Sequence, residues 1–340
     1  MTTPMAVLLA AALLLPGAAA RAEPLRVCAT LPDLASLVRT VGGDEVTLTV
    51  FSKGTEDPHF VEAKPSYVKA LSEADLLVVN GLDLEVGYLP VLLQNARNAR
   101  VLPGGPGHLD ASQAVVPLDV PSGTVDRSMG DVHPLGNPHY LLDPLDGLRV
   151  ARLVRDRLAE LRPERRDAFA ARAAGFEARL GTALVGDALA RKYALEKLLT
   201  LADLGRLDAF LAEQGDTLGG WLGLLRPYRG APVVDDHGLW PYFAHRFGLE
   251  IVAHMEPKPG IPPTTRHLGE VIDLMRSRKV RVVLASAYYD PRHADFVAAQ
   301  TGARVVRMAN LVGAREGTDD YLAMLDYDVR QLAAALGGRE

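Results

Sequence analysis

The sequence predicts an α/β protein with two lobes of parallel-type sheet, flanked by helices and joined by a long rigid linker helix. Short β-rich runs alternate with helical patterns up to residue 97 and again after residue 230, and such alternation is typical of parallel sheet. Between them, residues 145–180 are rich in Arg, Ala and Leu with helical periodicity, interrupted by Pro163. With 340 residues and 48% hydrophobic composition, the chain can fill two cores.

The N-terminus differs from the rest of the chain. An apolar run from Met5 to Leu15 is followed by a turn and by a small-x-small pattern that ends at Ala22. Residues 1–22 are therefore predicted to be a secretory signal peptide, which places the protein in the periplasm. A membrane anchor would instead need roughly 20 apolar residues. The net charge of −5 has no long like-charged runs, which argues against nucleic acid and anionic membranes as partners.

We expect residues 23–144 to form the N-terminal metal-binding lobe, residues 145–182 the linker helix, and residues 183–340 the C-terminal lobe. The N-terminal lobe alternates three strands with three helices. The predicted strands are 25–29, 46–51 and 75–81, and the predicted helices are 33–41, 64–72 and 85–97. Residues 103–138 are rich in Pro, Gly and Asp and are predicted to be a loop, which at that length is usually functional.

The C-terminal lobe begins with a helical insertion over residues 183–212 and then returns to alternation. Its predicted strands are 232–235, 249–253, 281–285 and 303–306, and its predicted helices are 239–247, 264–276, 290–300 and 318–336. Ligands of such sheets bind beyond the carboxyl ends of the strands, so we expect a site in the cleft between the lobes.

Four side chains stand out as candidate metal ligands. His59 and His139 each follow a proline and precede an aromatic residue, and the proline fixes the backbone so that each imidazole has a defined direction. His237 follows a predicted strand, and Asp290 follows the next-but-one. The four are far apart in sequence, so only the fold can bring them together.

For several residues near these positions, a role in the metal site remains open. Asp235 and Asp236 precede His237 and could bind metal or remain solvated. His133 and His293 lie close in sequence to predicted ligands, and a site role is open for both. The remaining histidines are expected to pack or lie at the surface: His108, His245, His254 and His267.

Several motifs together resemble one family. The first lobe carries Gly54-x-x-Asp57-Pro58-His59, a Lys64-Pro65-Ser66 run that continues to Leu77, and Asn80-Gly81-Leu82-x-Leu84-Glu85. The rest of the chain adds Asn137-Pro138-His139-x-x-Leu142-Asp143-Pro144, Tyr242 to Leu249, Glu256 to Pro263, and Asp319-Asp320-Tyr321. These motifs cover almost the whole mature chain and resemble the zinc/manganese solute-binding proteins of ABC importers.

This resemblance implies two lobes linked by a rigid helix, with one metal ion in the cleft bound by His59, His139, His237 and Asp290. Three imidazoles and one carboxylate suit Zn²⁺ in a closed four-coordinate shell. Manganese favours more oxygen donors, and a receptor for Mn²⁺ or Fe²⁺ is the alternative within the family. Zinc-binding members often carry a histidine-rich loop before the second ligand, but here residues 103–137 contain only two histidines, His108 and His133.

The implied function is capture of a divalent metal and its delivery to a membrane permease and its ATPase by a monomer, with a periplasmic metallochaperone as a further possible partner. Four protein ligands leave no open position for a catalytic water, so an enzyme is not expected. A secreted zinc enzyme would need three ligands and a general base such as Glu256, Asp235 or Asp236. An adhesin that uses zinc as a structural clamp would need an anchor, which we do not expect from this sequence.

Overall fold

The computed structural model describes residues 23–123, 125, 130, 132–258 and 260–338. The predicted signal peptide, residues 1–22, therefore lies outside the described residues. Two four-stranded parallel sheets flanked by helices form the described chain, which confirms the predicted fold class.

The first sheet has the strand order β2-β1-β3-β4, and all its neighbouring strands are parallel. Its strands are β1 (Leu25–Ala29), β2 (Val46–Val50), β3 (Leu76–Val79) and β4 (His108–Asp110), and its helices are α1 (Pro32–Gly42), α2 (Pro65–Glu73) and α3 (Leu89–Ala96). Strand β4 lies inside residues 103–138, which the sequence predicted as loop. The prediction missed it because it has three residues, of which only Leu109 is buried.

The second sheet repeats this order as β6-β5-β7-β8, again with parallel neighbours. Its strands are β5 (Pro232–Asp235), β6 (Glu250–His254), β7 (Val282–Ala285) and β8 (Arg304–Arg307). In both sheets the chain runs from the first strand to a neighbour on one side and then crosses to the other side. The crevice at such a switch point is where ligands of open α/β sheets bind.

A helical layer connects the two sheets. It consists of α4 (Pro144–Leu161), α5 (Arg166–Lys192), α6 (Leu195–Asp203), α7 (Leu207–Ala212) and α8 (Gly220–Leu225). The predicted linker helix over 145–182 is therefore two helices, because the chain leaves helical geometry at Arg162 before Pro163. Helix α5 also kinks at Gly186, whose φ of 80° and close approach to Gly219 leave no room for a side chain.

The helices that accompany the second sheet are α9 (Pro241–Phe247), α10 (Thr265–Arg278), α11 (Pro291–Thr301) and α12 (Tyr321–Gly337). Two of the α-helices in the described chain start with the dipeptide Asp-Pro. Asp143 caps α4 by accepting the Leu145 N–H at 2.8 Å, and Asp290 caps α11 by accepting the Arg292 N–H at 3.0 Å. The following proline suits the first helical position, where no backbone donor is needed.

One large apolar cluster joins the two sheets. It includes residues of β1 and β3 from the first sheet, β5 and β7 from the second, and the inner faces of α4, α5 and α12. Two smaller clusters cover the outer faces, one under α2 and α3 and one under α10 and α11. Because interiors are close-packed, a shared core opposes wide hinge motion between the sheets. Within the described part of the chain, no helix is both long and apolar enough to cross a membrane.

Candidate metal centre

His59 is positioned by the carboxylate of Asp57. Asp57 Oδ1 accepts both the His59 backbone N–H at 3.0 Å and the His59 Nδ1 proton at 2.7 Å, and Pro58 fixes the turn between them. The carboxylate therefore selects the tautomer in which Nε2 carries the lone pair. Burial raises the pKa of Asp57, but the hydrogen bonds from His59 outweigh it and hold the pKa below its usual value.

His139 is positioned by the turn that contains it and by the end of β3. The Asn137 side chain accepts the His139 backbone N–H at 3.0 Å. Asn80, just past β3, donates to the Pro138 carbonyl at 3.0 Å, and the Tyr140 hydroxyl donates to the Asn80 carbonyl at 2.6 Å. Burial and the neighbouring imidazoles hold the pKa of His139 well below its usual value, so this ring is neutral at physiological pH.

His237 lies two residues past β5, at the carboxyl end of its sheet, and is 4% exposed. Its Nδ1 meets Glu256 Oε2 at 2.7 Å, which again leaves Nε2 as the lone-pair nitrogen. Asp236 accepts the His237 backbone N–H at 3.0 Å and, through its other oxygen, the backbone N–H and hydroxyl of Ser286 at 2.7 and 2.8 Å. The ring also stacks on Tyr289, with centroids 5.5 Å apart.

The three histidines converge on one point. One ring nitrogen from each of His59, His139 and His237 lies within 4.8 Å of the others. Two of the rings come from loops of the first sheet and one from the second, so the group spans the cleft. Imidazole nitrogens backed by carboxylates are typical of zinc sites, in which the carboxylate orients the ring and raises its basicity. The group can therefore hold a divalent metal ion.

Asp290 is the predicted ligand that the structure does not place with this group. Its carboxylate caps α11 and binds the guanidinium of Arg292, with a distance of 2.9 Å from Nε to Oδ2. That hydrogen bond holds the pKa of Asp290 well below its usual value. Asp290 nevertheless borders the site, because it lines a cavity of about 230 Å³ together with Asp236, Glu256 and His293.

Of the other open positions, His133 is the one beside the cluster. Its Nε2 lies 3.1 Å from His59 Nε2. Burial and the neighbouring imidazoles lower the pKa of His133 to about 4. Asp235 instead binds His254, with 2.5 Å between Asp235 Oδ1 and His254 Nδ1. His293 lies at the wall of the 230 Å³ cavity.

The remaining three histidines lie away from the cluster, as predicted. His108 Nδ1 is 3.1 Å from the Val101 carbonyl, His267 Nε2 is 3.0 Å from the His254 carbonyl, and His245 is exposed on α9.

Sequence reasoning missed the part played by Glu256, which it considered only as a general base. The residue lies after β6, and the Gly260 N–H also donates to its Oε2 at 2.8 Å. No local motif connects it with His237, because the two meet only through the pairing of β5 with β6. Asp57 did carry a local signal, since it stands two residues before the histidine that it orients.

Replacing Glu256 with glutamine is expected to weaken metal binding by about 10–100-fold, the usual loss when an orienting partner of a ligand is removed. Burial alone would lower the pKa of His237, but the hydrogen bond with Glu256 outweighs it and raises that pKa above its usual value. A proton therefore competes for His237 as the pH falls through this raised pKa, and affinity is full only above it. In E256Q the pKa of His237 should be lower, so the loss of zinc affinity should begin at a lower pH than in the wild type.

Competitive zinc titrations between pH 5.5 and 8 measure both effects. Glu250→Gln is the matched control, because Glu250 is an exposed residue of β6 that binds Arg278. Equal affinities and equal pH profiles for E256Q and the wild type would show that Glu256 does not act on the ligand.

Comparisons of the sequence and of the structure with known proteins agree on one family. The sequence profile of the family described as "Zinc-uptake complex component A periplasmic" matches residues 27–185 and 207–335. The manganese-binding lipoprotein MntA of Halalkalibacterium halodurans is 22% identical over 317 residues, which cover 92% of this chain and 89% of that protein. The iron-binding protein YfeA of Yersinia pestis is 22% identical over 325 residues, or 93% of this chain and 88% of that protein.

Among solved structures, a crystal structure of ZnuA superposes with a TM-score of 0.67 at 24% identity, covering 92% of this chain and 99% of that one. At this identity the superposition supports the fold. The relatives are named for different metals, so their names do not identify the metal that this chain binds.

Proposed function

We propose that this chain, which belongs to the family of periplasmic zinc-uptake complex components, takes Zn²⁺ as its cargo. Proteins of this family are substrate-binding components of ABC importers and not enzymes. The chain is accordingly a periplasmic metal-binding component whose partners are a membrane permease and its ATPase. We further propose that the protein is exported by cleavage of residues 1–22, acts as a monomer, and can receive metal from a periplasmic metallochaperone.

The observation that carries the proposal for zinc is the nitrogen content of the cluster. His59, His139 and His237 offer three imidazoles within 4.8 Å of one another, and their near neighbours Asp57 and Glu256 are committed to orienting rings. Borderline-soft Zn²⁺ suits such a set, whereas Mn²⁺ favours carboxylate and water oxygens. The donors in the cluster therefore support zinc over manganese or iron.

We keep Asp290 as the predicted carboxylate ligand of the closed site. To bind the ion, its side chain has to leave Arg292 and the N-terminus of α11. This exchange needs movement of a single turn and no wide opening of the lobes. Metal uptake and release would therefore rely on local changes around β7 and α11, in agreement with the apolar core that the two sheets share.

Equilibrium titration of the mature protein with Zn²⁺ and with Mn²⁺ tests the identity of the cargo. Almost any nitrogen site ranks zinc above manganese, so the informative quantity is how weakly manganese binds. We expect Mn²⁺ to bind at least about a thousandfold more weakly than Zn²⁺, since a site with three imidazoles lacks the oxygen donors that manganese requires. A manganese affinity within tenfold of that for zinc would favour the manganese receptor instead.

A cellular assay adds an independent readout. Cells that lack this gene should require added zinc for growth in chelated medium, and added manganese should not restore growth. Rescue by manganese alone would reject zinc as the cargo.

A further inference from the structure

We propose that Tyr288 is a positioning residue of the metal site, and that its hydroxyl donates a hydrogen bond to Asp57 when zinc is bound. Asp57 orients His59, so Tyr288 acts on the ligand through this carboxylate. Tyr288 follows β7 in the second half of the protein and Asp57 follows β2 in the first, so the bond also links the two halves. This inference rests on the proposed function, because it adds a contact to the same zinc site.

The hydroxyl of Tyr288 is a buried donor that the described residues leave unused. The residue as a whole is partly buried, but its hydroxyl oxygen is covered and forms no hydrogen bond within the described chain. Burial raises the pKa of Tyr288 well above its usual value, and among the neighbouring charges that of Asp57 raises it most. The hydroxyl is therefore protonated at physiological pH. Because an unpaired buried hydroxyl is unfavourable, a bond that forms only with zinc favours the zinc-bound form.

The carboxylate of Asp57 can accept this donor. Asp57 accepts the backbone N–H and the Nδ1 proton of His59 through the same oxygen, Oδ1, so Oδ2 can take a further hydrogen bond. Asp236 also lies near the Tyr288 hydroxyl, but it already accepts hydrogen bonds through both of its oxygens. A donor at Oδ2 of Asp57 holds the carboxylate in place, and with it the His59 ring.

Zinc binding draws the two halves together at this point. The donor nitrogens of the three histidines lie within 4.8 Å of one another. A tetrahedral zinc ion with bonds of about 2.0–2.1 Å holds its ligand nitrogens roughly 3.3 Å apart, so the rings close in on the ion as it binds. His59 and His237 come from different halves, and Asp57 moves with His59 because two hydrogen bonds join them.

Tyr288 in turn moves with His237. Asp236, the neighbour of His237 in sequence, accepts the backbone N–H and the hydroxyl of Ser286 at 2.7 and 2.8 Å, which ties the end of β7 to the His237 segment. Tyr289 stacks on the His237 ring, and Tyr288 packs against Tyr289 with ring centroids 4.9 Å apart. Closure around the ion therefore brings the Tyr288 hydroxyl and the Asp57 carboxylate together.

Tyr288→Phe tests this assignment, because it removes only the hydroxyl. Zinc affinity should fall about tenfold, which is the lower end of the usual loss for a partner that orients a ligand. The metal-free variant should unfold at the same urea concentration as the wild type or at a higher one, because an unpaired buried group has been removed. Tyr327→Phe is the matched control. It removes a hydroxyl that binds the Arg307 carbonyl, and it should bind zinc as the wild type does.

A double-mutant cycle identifies the acceptor of the hydrogen bond. If the hydroxyl acts through Asp57, Tyr288→Phe should cause no further loss of zinc affinity in a D57A background, where the acceptor is absent. In an E256Q background it should keep its tenfold effect, because Glu256 orients the other histidine.

Wild-type zinc affinity in Y288F would overturn the assignment, and so would a full tenfold loss in the D57A background. A lower urea midpoint for metal-free Y288F would also overturn it, because the hydroxyl would then stabilise the fold without zinc. Failure of the proposed function looks different, because the wild type itself would then not prefer zinc to manganese.

Discussion

Replacing His237 with alanine should weaken zinc binding on the order of a thousandfold or more. Loss of an orienting partner alone costs about 10–100-fold, and this change removes a donor nitrogen itself. It also leaves Glu256, which is 9% exposed, without the imidazole that shares its negative charge. Competition with a chelating dye at pH 7.5 gives the affinity, and the stoichiometry should fall from one tight zinc per chain to none.

The control for this variant is His245→Ala, which removes an exposed histidine from the helix that follows the site. It should bind zinc as the wild type does. Wild-type affinity in H237A would remove His237 from the site and return Asp235, Asp236 and His293 to consideration as ligands.

The largest expected effect on stability comes from Asp143→Ala. Asp143 and Arg246 are 3% and 7% exposed and form a buried ion pair between the start of α4 and α9, with the guanidinium Nε 2.8 Å from Oδ1 and Nη2 2.7 Å from Oδ2. Without the carboxylate, Arg246 is left as a buried charge with no equivalent partner, which typically costs about 3–5 kcal/mol. Loss of the α4 cap adds about 1 kcal/mol.

Urea unfolding of the metal-free protein measures this destabilisation as a lower midpoint. Asp156→Ala is the control, because Asp156 forms an exposed ion pair with Arg155 and such pairs contribute about 0–1 kcal/mol. If both variants unfold at the same urea concentration, the buried pair does not stabilise the fold as described.

The fold class could be predicted because the spacing of apolar residues along the sequence indicates which segments are strands and which are helices. Four-residue apolar strands such as Leu76–Val79 and Val282–Ala285 are buried throughout, and they stand between amphipathic helices. Strand β4 could not be predicted in the same way. A three-residue strand with one buried side chain carries no period, and it exists because β3 offers it an edge.

The histidines of the cluster could be predicted because each follows a backbone feature that gives a side chain a defined direction. Proline precedes two of them, and a strand end precedes the third. His59 and His237 each have a carboxylate partner at Nδ1, and the two partners differ in how far they lie from the histidine in sequence. Asp57 is local to its histidine, whereas Glu256 reaches His237 only through tertiary structure.

Asp290 shows the limit of reasoning from position alone. It follows a strand, as a ligand should, but it also precedes a proline, as a helix cap should, and Arg292 follows two residues later. Asp143 is followed by proline in the same way and caps α4. The sequence holds both signals for Asp290. The structure shows the capped, Arg292-bound arrangement, and the ligand role remains a prediction.

The central claim is that histidines from both halves of the protein bind one zinc ion. Anomalous diffraction at the zinc absorption edge from crystals of the mature, zinc-loaded protein tests it most directly. We predict one strong peak in the cleft, about 2.0–2.1 Å from a ring nitrogen of each of His59, His139 and His237. A zinc peak elsewhere, or one coordinated by histidines of a single half, would contradict the account.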